Sequence, residues 1–376
     1  MTLTFYGGTG EVTGANYLLE VNGTKILVDC GMVQGCHYCE KRNYEPFGYQ
    51  PASIDYLFVT HAHIDHIGRI PRLYADGFRG KIFATEPTRE LTRLSLVDSE
   101  RLLSEEARRR NLKPLYTAED VDGTMELFKK VSYGETMDLG GGVTVLPHNA
   151  GHILGSTFYE FRITEQGKEK VIVFSGDLGN PPTPLLPDTE PLPAKVDVLL
   201  VESTYGGRIH ESREERQTAI ERAIEETVQN KGTMIIPAFA LERTQELLTE
   251  IEELVEEGRI PHVPIFLDSP MAIRATKIYQ QFESYYNTAS QEEIKHGQKF
   301  FDFPGLHMTL TKEESKKINE VPSPKIVIAG SGMSTGGRVI HHEKRYVSDP
   351  DNMVLIVGYQ AQGTMGRQIL DGAKEI

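Results

Sequence analysis

The chain has 376 residues, 39% of them hydrophobic and 25% charged, and its formal net charge is −14. That length allows two or three domains with sizeable cores, while no apolar run approaches the roughly 18 residues that a membrane-spanning helix needs. The acidic balance argues against a general polyanion binder, since phosphate contacts depend on Lys and Arg, and the three cysteines are too few for a disulfide framework and point to reduced thiols in the cytoplasm.

In chain order, Met1-Thr2-Leu3-Thr4-Phe5-Tyr6 lacks the basic-then-apolar layout of a signal peptide and reads as a first strand. Asn22-Gly23 stands between Tyr17–Val21 and Lys25–Val28, a two-residue hairpin signal. Cys36-His37-Tyr38-Cys39 has the spacing of half a zinc knuckle. No second Cys pair exists to close a four-ligand site, so it reads as a loop with two ordinary thiols. Thr88 to Arg110 reads as a long charged helix with apolar residues at Leu91, Leu94, Leu96, Leu102 and Leu103, and Thr117-Ala118-Glu119-Asp120 as a capped helix start. Pro181, Pro182, Pro184, Pro187, Pro191 and Pro193 mark a loop, because proline suits neither a helix interior nor a central strand. Past about residue 207, strand-like runs at Thr233–Pro237, Val263–Asp268, Lys325–Ala329 and Met353–Val357 alternate with helical stretches, which predicts a second, parallel α/β domain. The expected domains are residues 1–207 and 208–376.

The chemistry sits where strands end. Lys25–Val28 runs into Asp29, Tyr56–Thr60 into His61, Val143–Leu146 toward His152, Val171–Gly176 into Asp177, and Val198–Val201 into Glu202. A buried strand needs only hydrophobic residues, and ligands of α/β proteins collect at the carboxyl ends of strands. Five apolar strands that each deliver Asp, Glu or His therefore predict one convergent site. Its densest piece is Thr60-His61-Ala62-His63-Ile64-Asp65-His66-Ile67-Gly68. The H-x-H spacing lets two imidazoles reach one metal, and Asp65 and His66, where the next helix begins, can face a second. Imidazole nitrogen and carboxylate oxygen are ligands that suit zinc.

His61-Ala62-His63-Ile64-Asp65-His66 resembles the H-x-H-x-D-H signature of metallo-β-lactamase-fold hydrolases. The resemblance extends to Asp29, to His152 in Gly151–Ser156 and to Asp177 in Ser175–Gly179. Val201-Glu202-Ser203-Thr204-Tyr205-Gly206 is similar to motif A of the β-CASP group, whose members process nucleic acid, and Gly7–Gly14 resembles the opening of prokaryotic relatives of the 73-kDa subunit of the mRNA cleavage and polyadenylation factor. The fold this implies is α/β: an αββα metallo-β-lactamase sandwich over residues 1–207 with a β-CASP α/β domain over 208–376. The resemblance implies that His61, His63 and His152 bind one metal, that Asp65 and His66 bind another, and that Asp177 bridges the two. Two zinc ions would share a hydroxide that attacks phosphorus. Asp29 would orient the ligand loop and Glu202 would orient a catalytic His, so that Asp29, Asp65, Asp177 and Glu202 make up the expected catalytic carboxylates.

The expected activity is RNA phosphodiester hydrolysis in a cleft between the domains. RNA is the expected partner, a homodimer is an assembly compatible with it, and no membrane is involved. Ala329–Arg338 is glycine-rich and follows a strand, so Ser331, Gly332, Met333 and Thr335 are candidate RNA contacts, together with Arg274. The family's two further histidines are not found. His341-His342 lies in the wrong context and reads as an exposed helical pair, and no closing strand follows Glu375-Ile376, so the chain reads as C-terminally shortened and nearly inactive by itself. Two other readings are an esterase, thioesterase or lactonase on the same metal core, against which the second domain and Glu202 argue, and a non-catalytic scaffold, against which the intact ligand set argues.

Overall fold

The computed structural model of the chain describes residues 1–35 and 41–373; Cys36-His37-Tyr38-Cys39 and the end at Glu375-Ile376 lie outside the described residues. Two compact units emerge, Met1–Pro181 with Leu186–Gly207, and Pro182–Leu185 with Arg208–Ile376.

The first unit contains β1 (Thr2–Gly7), β2 (Asn16–Val21), β3 (Thr24–Val28), β4 (Tyr56–Phe58), α1 (Ile64–Ile67), α2 (Ile70–Ala75), β5 (Lys81–Ala84), α3 (Glu86–Arg110), α4 (Ala118–Glu126), β6 (Phe128–Lys130), β7 (Met137–Gly140), β8 (Val143–Asn149), β9 (Thr157–Glu165), β10 (Lys168–Phe174) and β11 (Val198–Leu200). One sheet runs β1 to β6 in order and the other runs β11-β10-β9-β8-β7. Asn22 and Gly23 join β2 to β3 with φ of 48° and 82°, the left-handed pair that a tight hairpin turn requires. Strand alternation sends Leu19, Val21, Ile26, Val28 and Phe58 of the first sheet against Val143, Val145, Tyr159, Phe161, Ile172 and Phe174 of the second. Each such side chain, fully buried, contributes about 1.5–3 kcal/mol. The opposite residues, Leu18, Leu27, Leu57 and Ile82, pack against Leu73, Leu96, Val121 and Met125 of α2, α3 and α4. Helices α2, α3 and α4 thus cover the outer face of the first sheet, one of the two helical layers of the expected αββα sandwich. At the start of α4, Thr117 Oγ1 accepts the Asp120 N–H and the Asp120 carboxylate accepts the Thr117 N–H.

One strand departs from the sequence reading. β11 is apolar in sequence but not buried: Val198, Leu199 and the following Val201 are exposed. It is the outer strand of its sheet, paired in parallel to β10 alone among the described residues.

The second unit contains α5 (Arg213–Gln229), β12 (Thr233–Pro237), α6 (Arg243–Glu256), β13 (Ile265–Asp268), α7 (Pro270–Gln281), α8 (Thr288–Lys295), β14 (Leu306–Met308), α9 (Lys312–Lys317), β15 (Lys325–Ala329), α10 (Val339–Tyr346), β16 (Met353–Val354) and α11 (Met365–Leu370). Its sheet is wholly parallel, in the order β14-β13-β15-β12-β16. β12, β13 and β15 are buried throughout, as parallel strands covered on both faces must be. The runs expected at 263–268 and 353–357 shorten to β13 and β16, and β14, three residues with a histidine in the middle, has no hydrophobic pattern to announce it. The order also sets where neighbouring loops part. β12 leads to β13 and β13 to β14, all toward one edge, whereas β15 leads past β12 to β16 at the other edge. The loop after β15 therefore diverges from its neighbours, and such a topological switch point is where open α/β sheets bind ligands.

Helix α6 buries acids as well as leucines: Glu250 and Glu252 are buried beside Leu248, Ile251 and Leu254. Burial first, and then the charge of Glu246, pushes the Glu250 carboxyl up to about 7. The folded state then binds a proton that the unfolded chain has already lost above about pH 4.3, so stability falls as pH rises from there through 7. Glu250→Gln should stabilise the protein by roughly 1–3 kcal/mol at pH 8 and by little at pH 4. Urea unfolding at the two pH values measures this, and equal effects at both would contradict it.

Candidate metal centre

β4 ends two residues before Thr60-His61, His63 precedes α1, and the first turns of α1 carry Asp65 and His66. His152 stands in the loop after β8, and Asp177 stands three residues past β10. The fold brings these side chains to one place. His63 Nδ1 lies 3.1 Å from His61 Nε2 and 3.1 Å from His152 Nε2. Asp177 Oδ2 is 3.6 Å from both Nε2 atoms. The four residues form a group that could hold a metal ion. A tetrahedral zinc with Zn–N near 2.1 Å separates its nitrogens by about 3.4 Å, so the spacing fits one four-coordinate cation.

The remaining donors adjoin this group. Asp177 Oδ1 is 3.2 Å from His66 Nε2, and Asp65 Oδ2 is 3.8 Å from the same nitrogen. Asp177 thus turns one oxygen to each set. Burial first, and then neighbouring imidazoles, pushes His61 well down and His63 to about 4, which leaves neutral rings with lone pairs available. Burial opposes a charge on His66 as well, but Asp177, Asp29 and Asp65 outweigh it and hold that ring well above its usual value. Asp177 is raised by burial and lowered more strongly by His66 and His61, with a net displacement well below the carboxylate range. Three carboxylates thus hold a charge on His66 while His61 and His63 offer neutral nitrogens, a donor set that suits a cation.

Asp29 is withdrawn from the donor cluster and aims it. Fully buried at φ 57°, it accepts the Thr60 N–H and the Thr60 hydroxyl, both at 2.8 Å, and His66 Nδ1–H at 2.7 Å. Thr60 Oγ1 gives its proton to Asp29, so it accepts from His61 Nδ1 at 3.0 Å. Both rings thereby keep Nδ1–H on these partners and turn Nε2 to the donor cluster, where a bound cation would take the place of the second proton on His66. Thr60 escaped the sequence reading; its signal was a hydroxyl between a buried strand and the first ligand. Two glycines admit the close approaches. A Cβ on Gly31 would lie 1.5 Å from the Asp65 carbonyl oxygen, and one on Gly176 would lie 2.6 Å from the Thr60 Cβ. The Glu202 carboxylate accepts the N–H groups of Leu178 at 3.2 Å and Thr204 at 3.1 Å, so it braces the turn that carries Asp177.

The nucleic-acid candidates all lie in the second unit. Thr335 is exposed, Ser331 and Met333 are half-buried, Gly332 is buried, and Arg274 is exposed on α7. The Gly332 carbonyl accepts from Gln360 at 2.8 Å, and the Met333 carbonyl accepts the Gly366 N–H at 3.1 Å. His341-His342 is not an exposed pair. His341 is exposed, but His342 is 3% exposed and bonds Asp268 at 2.8 Å. Val339, His342 and Glu343 form the buried face of α10, at the spacing that places residues on one side of a helix.

Residues 18–176 match the family model described as the metallo-beta-lactamase superfamily domain, and residues 244–369 match that of the Beta-Casp domain. The chain is 38% identical to Ribonuclease TTHA0252 of Thermus thermophilus, over 98% of this chain and 82% of the relative. It is 34% and 31% identical to proteins named Transcription termination factor FttA from Methanosarcina mazei and Methanocaldococcus jannaschii. In both cases the match takes in all of this chain but 58% of the relative, so the chain spans little more than half of those archaeal proteins.

His63 sits between two other imidazoles, so His63→Ala should abolish stoichiometric metal binding. Thr60→Val should keep the stoichiometry but weaken affinity about tenfold, the usual cost of removing a group that orients a ligand. Chelator competition on the purified variants measures both, and unchanged affinity in Thr60→Val would refute the role given to its hydroxyl.

Proposed function

The chain belongs to the β-CASP branch of the metallo-β-lactamase superfamily, and from that premise we propose that it is a metal-dependent hydrolase of RNA phosphodiester bonds. The observation that carries this reading is the convergence of three imidazole nitrogens within 3.1 Å steps on one point, with Asp177 dividing its oxygens between them and His66. In this reading His61, His63, His152 and Asp177 hold one zinc ion, and Asp65, His66 and Asp177 hold a second. Zinc bound there would polarise the phosphoryl oxygens and lower the pKa of the attacking water. The chain's own part is geometric. Asp29 and Thr60 keep two rings in the ligating tautomer, and Glu202 and the Gly176 turn keep Asp177 between the two sets.

RNA as the substrate is supported by the relative named as a ribonuclease and by the glycine-rich loop at the switch point of the parallel sheet. A net charge of −14 calls for local phosphate contacts rather than a wide basic surface, and exposed Arg274 is one such contact in this reading.

Asp177→Asn keeps the shape and removes the charge that faces both donor sets. It should lower RNA cleavage by about two orders of magnitude or more, equivalent to about 3 kcal/mol, and chelation of the wild type should abolish cleavage reversibly. Arg274→Ala should weaken RNA binding and flatten its salt dependence. Cleavage of end-labelled RNA at full rate by metal-depleted protein, or turnover of a lactone or thioester with none of RNA, would overturn the proposal.

A further inference from the structure

Asp268 ends β13 and is fully buried, yet its carboxylate faces four donors from other parts of the second unit. Oδ1 accepts the Thr309 hydroxyl at 2.6 Å and Arg338 Nη1 at 2.7 Å, and Oδ2 accepts the Ser315 hydroxyl at 2.7 Å and His342 Nε2 at 2.8 Å. Thr309 follows β14, Ser315 lies on α9, Arg338 closes the glycine-rich loop and His342 lies on α10. Burial alone would raise this carboxyl, but the bonds from His342, Thr309, Ser315 and Arg338 hold it down, to about 2. An ionised carboxylate is tolerated in an interior only when such donors surround it, and removing one partner leaves the rest unsatisfied.

The node bears on the loop at residues 330–337. Arg338 spends its guanidinium on Asp268 Oδ1 and on the carbonyls of Thr309 and Leu310, each at 2.8 Å. It is therefore an anchor for the loop and not one of its phosphate contacts. The loop itself is tightly specified. Ser334 has φ 53°, and its buried hydroxyl donates to Glu343, the neighbour of His342. Gly337 has φ 75°, and a Cβ there would lie 2.4 Å from the Gly330 carbonyl oxygen. Gly330 in turn lies against Ser269, the residue after Asp268. Asp268 thus pairs with Ala329, the residue before the loop, and its carboxylate holds Arg338, the residue after it.

We propose that Asp268 is a positioning residue: it fixes the glycine-rich loop at residues 330–337 in the shape that receives a backbone phosphate of RNA. The phosphate part rests on the function proposed above, whereas the control of loop shape does not. The two are separable in one experiment. Asp268→Asn keeps the size and removes the charge, and Arg338→Gln removes the anchor from the other side. In each, hydrogen exchange of the backbone at 330–337 should rise about tenfold while β12 exchanges as in the wild type. Steady-state cleavage of end-labelled RNA should show KM up about tenfold with kcat within about twofold, the pattern of lost binding without lost chemistry. If Asp268→Asn does not fold, Ser315→Ala, which removes one donor of four, should show the same two changes at smaller size. Unchanged exchange at 330–337 in folded variants, or a fall in kcat at constant KM, would overturn the role of Asp268. Wild-type protein that neither binds nor cuts RNA while the variants still loosen the loop would overturn the function and leave the loop control standing.

Discussion

The three hydrogen bonds that Asp29 accepts set the geometry on which the candidate metal centre depends. A carboxylate at the end of a buried strand, at left-handed φ, takes the Thr60 N–H, the Thr60 hydroxyl and His66 Nδ1–H. Because the Thr60 proton is committed to Asp29, the hydroxyl oxygen must receive from His61 Nδ1. One acid therefore decides the tautomer of two imidazoles, and with it which nitrogen of each is left for a cation. Bare glycines at Gly31 and Gly176 follow from the same constraint, since the segments that deliver Asp65, His66 and Asp177 must pass closer to one another than any Cβ allows.

The second unit repeats that logic without metal ligands. Asp268 also stands at the carboxyl end of a buried strand and also meets a histidine, but its other partners are two hydroxyls and a guanidinium. In both cases burial makes an unpartnered carboxylate costly. Such groups persist where the surrounding segments are fixed to satisfy them, and those segments are the loops that a ligand would meet. A parallel sheet favours this placement, because all its strands open their carboxyl ends on one side.

Electrostatics in this acidic chain are local. Around the metal donors, Asp177, Asp29 and Asp65 overcome the burial that would keep His66 neutral, so a cation is favoured at one point. Along α6, the same burial meets carboxylates with too little compensation and keeps Glu250 and Glu252 protonated to about 7. The net charge of −14 describes neither place.

The sequence by itself determined the hairpin at Asn22-Gly23, the capped start of α4, the parallel sheet of the second unit and the six metal-ligand candidates. Each is a local signal: a turn needs particular residues, a buried strand reads as an apolar run, and H-x-H-x-D-H is contiguous. What only the tertiary structure decided depends on partners far away in the chain. Thr60 became a support for two ligands because Asp29, 31 residues earlier, lies beneath it. His342, read as exposed, is buried because Asp268, 74 residues earlier, awaits it. β11, read as buried, is exposed because strand burial depends on neighbours, and an apolar run does not state whether a strand is central or outermost. Composition and period report what a segment can bury; only the fold decides which polar groups it must satisfy when it does.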